Sequence, residues 1–230
     1  MDRRQFTRSI VVLAPLLPGC TTSVAYDRTK YGDLRRVGII AHPQRFDVFA
    51  SSSMNIYARA GYDEAMRNQV KSALSAKCQE FGSGMRKQIA ATLTSYGINS
   101  TEIAYRDDGS IINPRYRIFR TPLYKDAGEP LYLESQISLC FAQLQDGIAP
   151  GAGTWSQLIT PDGETLWSTR ISIGPSRFSD SIVIGVPTTR FKDISDVVNS
   201  PDMASAVLMS FATPLGRNIG EALVRDTAQS

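Results

Sequence analysis

From Leu131 to Ile173 the chain runs through three stretches that alternate apolar and polar residues, and this alternation constrains the fold more than any other feature. A period of two places successive side chains on opposite faces of a strand. LYLESQISLCFAQLQ, GTWSQLIT and ETLWSTRISI are therefore predicted as strands. In the first of them Leu133, Ile137, Leu139 and Phe141 mark one face, and Gln136, Ser138 and Cys140 point the other way. TPDGET is predicted as a hairpin turn, because Pro161 presets its backbone angle and Gly163 accepts a positive one. Trp155 and Trp167 stand on neighbouring strands of that hairpin and are expected to form a cross-strand core pair. FSDSIVIGVP adds a short β-rich run.

On either side of this meander the period changes. LRRVGIIAHP holds the short apolar run Val37–Ala41, which suits a buried strand opening the folded domain at Leu34, with RFDVFA and MNIYA as shorter strand candidates. From Tyr62 to Tyr96 the apolar residues recur every four positions: Tyr62, Met66, Val70, Leu74 and Cys78, then Phe81, Met85, Ile89 and Leu93. Gly82 and Gly84 predict a kink or a division into two helices there, and Gly97 suits a left-handed cap. INSTEIAYR reads as a strand. Residues 107–130 are rich in turn formers, with a candidate edge strand at RYRIF. A closing helix is expected from Asp202, striped by Val207, Phe211, Leu215, Ile219 and Leu223 and bent at Pro214. Runs of strands separated from runs of helices predict an α+β fold, a largely antiparallel sheet with helices on one face, as a single domain over residues 34–230. A chain of 230 residues is ample for such a core.

The N-terminus has a different character. Arg3, Arg4 and Arg8 precede Ile10–Leu17, an apolar run of eight residues, whereas a bilayer span needs about 20. Residues 1–19 thus read as an export signal. Without them the chain holds 22 basic and 21 acidic residues, so the formal charge of +3 is largely a property of that segment. A general affinity for nucleic acid, which needs a concentrated basic footprint, gets no support.

LPGC at Leu17–Cys20 resembles the lipobox of bacterial lipoproteins, with Pro18 where that motif usually carries a small residue, and RRQF at Arg3–Phe6 resembles a twin-arginine export motif. The resemblance implies cleavage before Cys20, a diacylglycerol on its thiol, a membrane-tethered chain, and a polar tether over residues 20–33. Thr21 in place of Asp after the cysteine implies outer-membrane sorting in lipoproteins of enteric type. Ser23-Val24-Ala25 offers an ordinary signal peptidase a site, which leaves open a soluble secreted form cut after Ala25. Either route places the mature chain outside the cytoplasm. The element order also resembles, in architecture only, the outer-membrane activators of penicillin-binding proteins and the N-terminal domain of the Tol translocation protein.

An oxidising compartment raises the question of a disulfide between Cys78 and Cys140. The pattern argues partly against it, since Cys78 sits on the helical stripe and Cys140 on the strand face opposite Leu139. No Cys or His pair has metal-ligand spacing, and no cofactor is expected. His42, the sole histidine, is expected to be a strand-end residue without a nucleophile motif around it. FGSGM has the wrong spacing for a nucleophile elbow, and GAGTW lacks the third glycine of a dinucleotide loop. Asp107-Asp108-Gly109 reads as a turn, and Asp63-Glu64 as a helix start that favours the dipole. Arg115, Tyr116, Arg117, Phe119, Arg120 and Tyr124 interleave guanidinium groups and rings, which suits a partner surface or a protected sheet edge. The expected function is a non-enzymatic cell-envelope lipoprotein that binds a protein partner or assists an assembly. A ligand-binding or hydrolytic domain is the alternative.

Overall fold

The computed structural model describes residues 24–42, 45–49, 64–103, 127–176, 178 and 180–228. In chain order the elements are α1 (Arg28–Tyr31), β1 (Arg36–Ala41), β2 (Arg45–Phe49), α2 (Glu64–Leu74), α3 (Phe81–Ser95) and β3 (Asn99–Glu102). There follow β4 (Tyr132–Leu144), β5 (Gly147–Ile159), β6 (Thr165–Ile173), β7 (Ile182–Gly185), α4 (Ile194–Asn199), α5 (Pro201–Ser210) and α6 (Ala212–Ala228). The strands form one seven-stranded sheet in the order β3-β1-β4-β5-β6-β7, with β2 beside β4. The α+β class is as expected. The antiparallel ladders are the central ones, β4–β5 and β5–β6, while β3–β1, β1–β4, β2–β4 and β6–β7 run parallel.

β4 is long enough to have two partners along one edge. Gly38–Ala41 of β1 pairs with Tyr132–Ser135, and Arg45–Phe49 of β2 pairs with Ser138–Ala142. Between these colinear strands the sequence reads His42-Pro43-Gln44, and a proline has no N–H to give a ladder. β3 flanks only β1, through Arg36–Ile39, so among the described residues β2 has one strand neighbour.

One face of the sheet carries the core. Val37, Ile39, Val48, Leu133, Ile137, Leu139, Phe141 and Leu158 pack there against Val70 and Leu74 of α2, the Phe81–Leu93 stripe of α3, and Leu215, Ile219 and Leu223 of α6. α3 and α6 approach at backbone range along a glycine seam. A Cβ on Gly216 would lie 2.6 Å from the Met85 carbonyl oxygen, and one on Gly220 2.8 Å from Thr92 Cβ. A smaller apolar cluster of Ile40, Tyr132 and Ile159, with Ile103 against it, occupies the opposite face.

Several expectations are corrected. Trp155 and Trp167 do not pair. The ladder slips between Leu158 and Ile159, so Trp167 opposes Leu158 on the helix-covered face and Trp155 opposes Arg170 on the other. One inserted residue reverses the facing of everything beyond it. Trp167 is buried and its Nε1 donates to Asp226 Oδ2 at 3.0 Å, while the Arg170 guanidinium lies 5.2 Å from the Trp155 ring centre. The helical break falls at residues 75–80, ahead of Gly82 and Gly84, which stand in the first turn and a half of α3. The bend expected from Pro214 takes the form of a break at Phe211, three residues before it, since a proline has no N–H for the Ser210 carbonyl; Pro214 itself stands in the first turn of α6. β7 is parallel to β6, so the meander ends after three antiparallel strands. Residues 24–33, read as tether, are docked: Ser168 N donates to the Val24 carbonyl at 3.2 Å, Tyr26 is buried, and Asp27 caps α1. Gly97 does adopt the expected left-handed conformation, at φ 77°.

Candidate functional site

Beside the interruption between β1 and β2 lies a cavity of about 890 Å³ lined by residues of β1, β2, α2 and α3. Gly82, in the first turn of α3, packs against the end of β1, where a Cβ would meet Ala41 Cβ and the His42 carbonyl at 3.8 Å. α2 crosses on the far side. Its apolar stripe, Val70 and Leu74, is sealed in the core. The i, i+4 stripe beside it, Arg67, Lys71 and Ser75, lines the cavity.

Arg67 and Lys71 from α2 and Arg86 from α3 line this space; Arg45 of β2 lines it too, from a strand position that shares the face of Ser138, opposite the helices. Two carboxylates, Asp47 and Glu80, line the same space. Asp47 is 5% exposed and accepts from Ser138 Oγ at 2.8 Å. Glu80 precedes α3 and makes no side-chain capping bond, and the first turn of α3 carries no acidic residue. Arg86 is held from behind, with Nη1 3.5 Å from the Ala41 carbonyl and Nε 3.6 Å from Glu102. Guanidinium and ammonium groups lining one space suit an anionic ligand.

His42 stands at the rim. Its backbone N–H donates to the Ser135 carbonyl at 2.9 Å, and its Nε2 engages Glu134 Oε1 on β4. The sequence placed this histidine at a strand end, and the structure adds its carboxylate partner. Glu134 is itself largely buried, and Gln157 lies opposite it on β5. A second buried carboxylate, Glu129, takes a two-pronged contact from Arg36, at 2.7 and 2.9 Å. Burial alone would raise the Glu129 carboxyl, but the Arg36 guanidinium and a hydrogen bond from Thr101 hold it below its ordinary value.

Cys78 and Cys140 are both buried thiols, and neither is half of a disulfide. Cys78 belongs to the helix-side core, and burial pushes its thiol up to about 11. Cys140 faces the other way and donates from Sγ to the Pro175 carbonyl at 2.9 Å. Burial, then the Asp47 carboxylate, also raises its pKa. The sheet stands between the two sulfurs, and the Leu139/Cys140 alternation in the sequence carried that signal.

Cys20, the run Arg115, Tyr116, Arg117, Phe119, Arg120 and Tyr124, the MNIYA segment and Asp107-Asp108 lie outside the described residues. Among the described residues no group of three or more His, Cys, Asp or Glu is placed to hold a metal. No helix among them is long and apolar enough to cross a membrane.

No protein-family model and no curated protein matches the chain. Solved structures to which it is similar include lipoprotein GNA1162 from Neisseria meningitidis, at 15% identity over 63% of this chain and 86% of that one, with a TM-score of 0.29. A second is the hypothetical protein CT253 from Chlamydia trachomatis, at 12% identity over 85% and 99%, with a TM-score of 0.39. A third is the LpoB C-terminal domain from Salmonella enterica, at 14% identity over 62% and 84%, with a TM-score of 0.20. Likeness at this level is remote, and no residue role or activity is carried across from any of them.

Proposed function

We propose that the chain is a non-enzymatic cell-envelope lipoprotein, held to the membrane by a diacylglycerol on Cys20, whose domain serves an envelope protein as a binding or assembly factor. The observation that carries this reading is the position of Val24 relative to the LPGC motif. Val24 is tied to β6 at both of its backbone groups, its N–H to Ser168 Oγ at 3.3 Å and its carbonyl to Ser168 N at 3.2 Å. Cleavage before Cys20 keeps both bonds, whereas cleavage after Ala25 removes the residue that makes them. Four residues of fully extended chain reach at most about 14 Å. An acyl anchor on Cys20 therefore keeps the domain against the bilayer surface. In this reading the domain faces the periplasm, and Thr21 after the cysteine suits sorting to the outer membrane. Two acyl chains on one residue suffice for stable anchoring where a single chain does not.

In this reading the run Arg115–Tyr124 is the partner surface, since arginine and aromatic residues are the types enriched at interfaces. Two measurements test it. Cys20→Ala should shift the protein from the membrane pellet to the soluble periplasmic fraction and abolish incorporation of a labelled fatty acid; unchanged fractionation overturns the anchor. Charge reversal at Arg115, Arg117 and Arg120 should remove envelope proteins crosslinked in intact cells, and an unaltered crosslinking pattern overturns the surface. A second reading, a ligand-binding domain, is favoured by the cationic cavity between α2, α3 and β2.

A further inference from the structure

We infer that the β7 edge of the sheet is a membrane-contact surface, on which Ile182, Val183 and Val186 enter the interfacial layer of the bilayer that holds the anchor. The inference rests on the lipid-anchor reading of Cys20 and adds to it the side of the domain that meets the lipid. Three observations carry it.

The first is apolar exposure without charge. Ile182 is 55% exposed, Val183 58% and Val186 73%. Ile182 aligns with Ile171 of β6 and Val183 with Ser172, so these two side chains leave opposite faces of the strand. Among the described residues no strand lies beyond β7. Sheet edges are commonly guarded by charged side chains, yet from Ser181 to Thr189 the sequence holds no Lys, Arg, Asp or Glu. Exposed apolar side chains grouped in this way mark a contact surface.

The second is where the anchored segment joins the sheet. Ser168 N donates to the Val24 carbonyl, and Gly174 N donates to the Gly185 carbonyl at the end of β7. Ser168 and Gly174 stand an even number of residues apart along one strand, so both N–H groups point to the side away from β5. Val24 and β7 thus occupy the same edge of β6. From Ser168 to Ile171, where β7 begins, the strand advances about 10 Å.

The third is the length of the tether. The chain from Cys20 to Val24 reaches at most about 14 Å. Acyl chains on Cys20 therefore enter the bilayer within one tether length of the apolar edge. Interfacial protein segments bury their apolar side chains about 5–10 Å deep at the boundary of headgroups and acyl chains. The domain would then stand on its β7 edge, with β3 about 24 Å away across the sheet.

Fluorescence of the acylated full chain in phosphatidylethanolamine–phosphatidylglycerol vesicles tests the surface, with mass spectrometry establishing acylation first. Cys78 and Cys140 are buried, so an introduced cysteine takes an environment-sensitive nitrobenzoxadiazole label selectively. Val183→Cys reports from β7, and Tyr96→Cys, at an exposed position just before β3, reports from the other edge. Emission at Val183→Cys should be at least twofold above that of the same label on the Cys20→Ala chain in buffer. Nitroxide on the phospholipid acyl chains should quench it by at least half, and should leave Tyr96→Cys unchanged. Circular dichroism checks folding; should Val183→Cys fail, Val186→Cys, the most exposed of the three positions, gives the same readout. Raised emission that lipid nitroxide does not quench assigns a protein strand to this edge and overturns the lipid assignment. Equal quenching at both edges, or no change at Val183→Cys in an acylated, membrane-pelleted chain, overturns the inference and leaves the anchor standing. A chain without an acyl group on Cys20 overturns the anchor, and this surface with it.

Discussion

On the helix-covered face of the sheet, Leu139, Phe141 and Trp167 are sealed by α2, α3, α5 and α6 in one apolar core. On the opposite face, Asp47, Glu134, Ser138 and Ser172 are buried among hydrogen bonds, and the apolar cluster is only Ile40, Tyr132 and Ile159 with Ile103. There the chain after β6 folds back over β5 so closely that a side chain on Gly151 would collide with the Pro175 carbonyl. The first face is held by volume filled with hydrocarbon, and the second by close backbone approach and paired polar groups. Cavity-forming substitutions should therefore cost most on the first face. On the second, adding atoms or removing a charge partner should matter more than losing area.

The hairpin β5–β6 tests this comparison directly, because it places one tryptophan on each face. Trp167→Ala should cost about 4 kcal/mol, the usual range for deleting a buried large aromatic, as read by urea denaturation. Gly151→Ala should cost about 2–3 kcal/mol through overpacking against Pro175 and Cys140 Sγ, although it removes nothing. If it proves neutral, the close approach of the covering segment is not holding that face.

Arg36→Met should cost about 2 kcal/mol at neutral pH, since it leaves a carboxylate with 2% of its side chain exposed without its partner. The sign of its pH dependence is fixed by Glu129. That carboxyl is held below its ordinary value of 4.5 in the folded chain, so the pair's contribution is complete above about pH 4.5 and is lost as pH falls through the lower folded value. The difference in melting temperature between wild type and Arg36→Met should accordingly narrow below pH 4.5; a constant gap from pH 7 to pH 3 would exclude the assignment. Trp155→Ala should have the smallest effect, about 1 kcal/mol or less, because its ring is half-buried and its cation–π contact partly solvated. A loss matching that of Trp167→Ala would erase the distinction between the faces.

The same hairpin shows how far the sequence is legible. Alternation located β4, β5, β6 and the core residues of β4, because burial on one face writes a period of two into the chain. It misplaced Trp167, because the bulge at Leu158/Ile159 leaves no signature in composition and shifts every later residue by one. The closing helices were partly legible. Pro214 announced the break that falls at Phe211, whereas nothing in the sequence marked Gly216 and Gly220 as the places where α3 comes closest. The docking of Val24 was hidden because its bonds are to backbone and a serine 144 residues away. The cavity was half legible. Arg67 and Lys71 stand in the sequence as a period-four cationic stripe on α2, but that they line one space with Arg86 of α3 depends on tertiary packing.

β2 is fastened differently from the strand it continues. β1 has a strand on each side, whereas β2 hangs from the second half of β4 and is otherwise backed by α2. Segments with few partners open at free energies well below that of global unfolding. Among the described residues that strand rests on one ladder and one helix, and the ladder also holds the buried Asp47 carboxylate against Ser138. Opening of β2 would then carry a charge from the interior to water, so that amide exchange at residues 45–49 becomes a meter of how firmly that charge is kept inside.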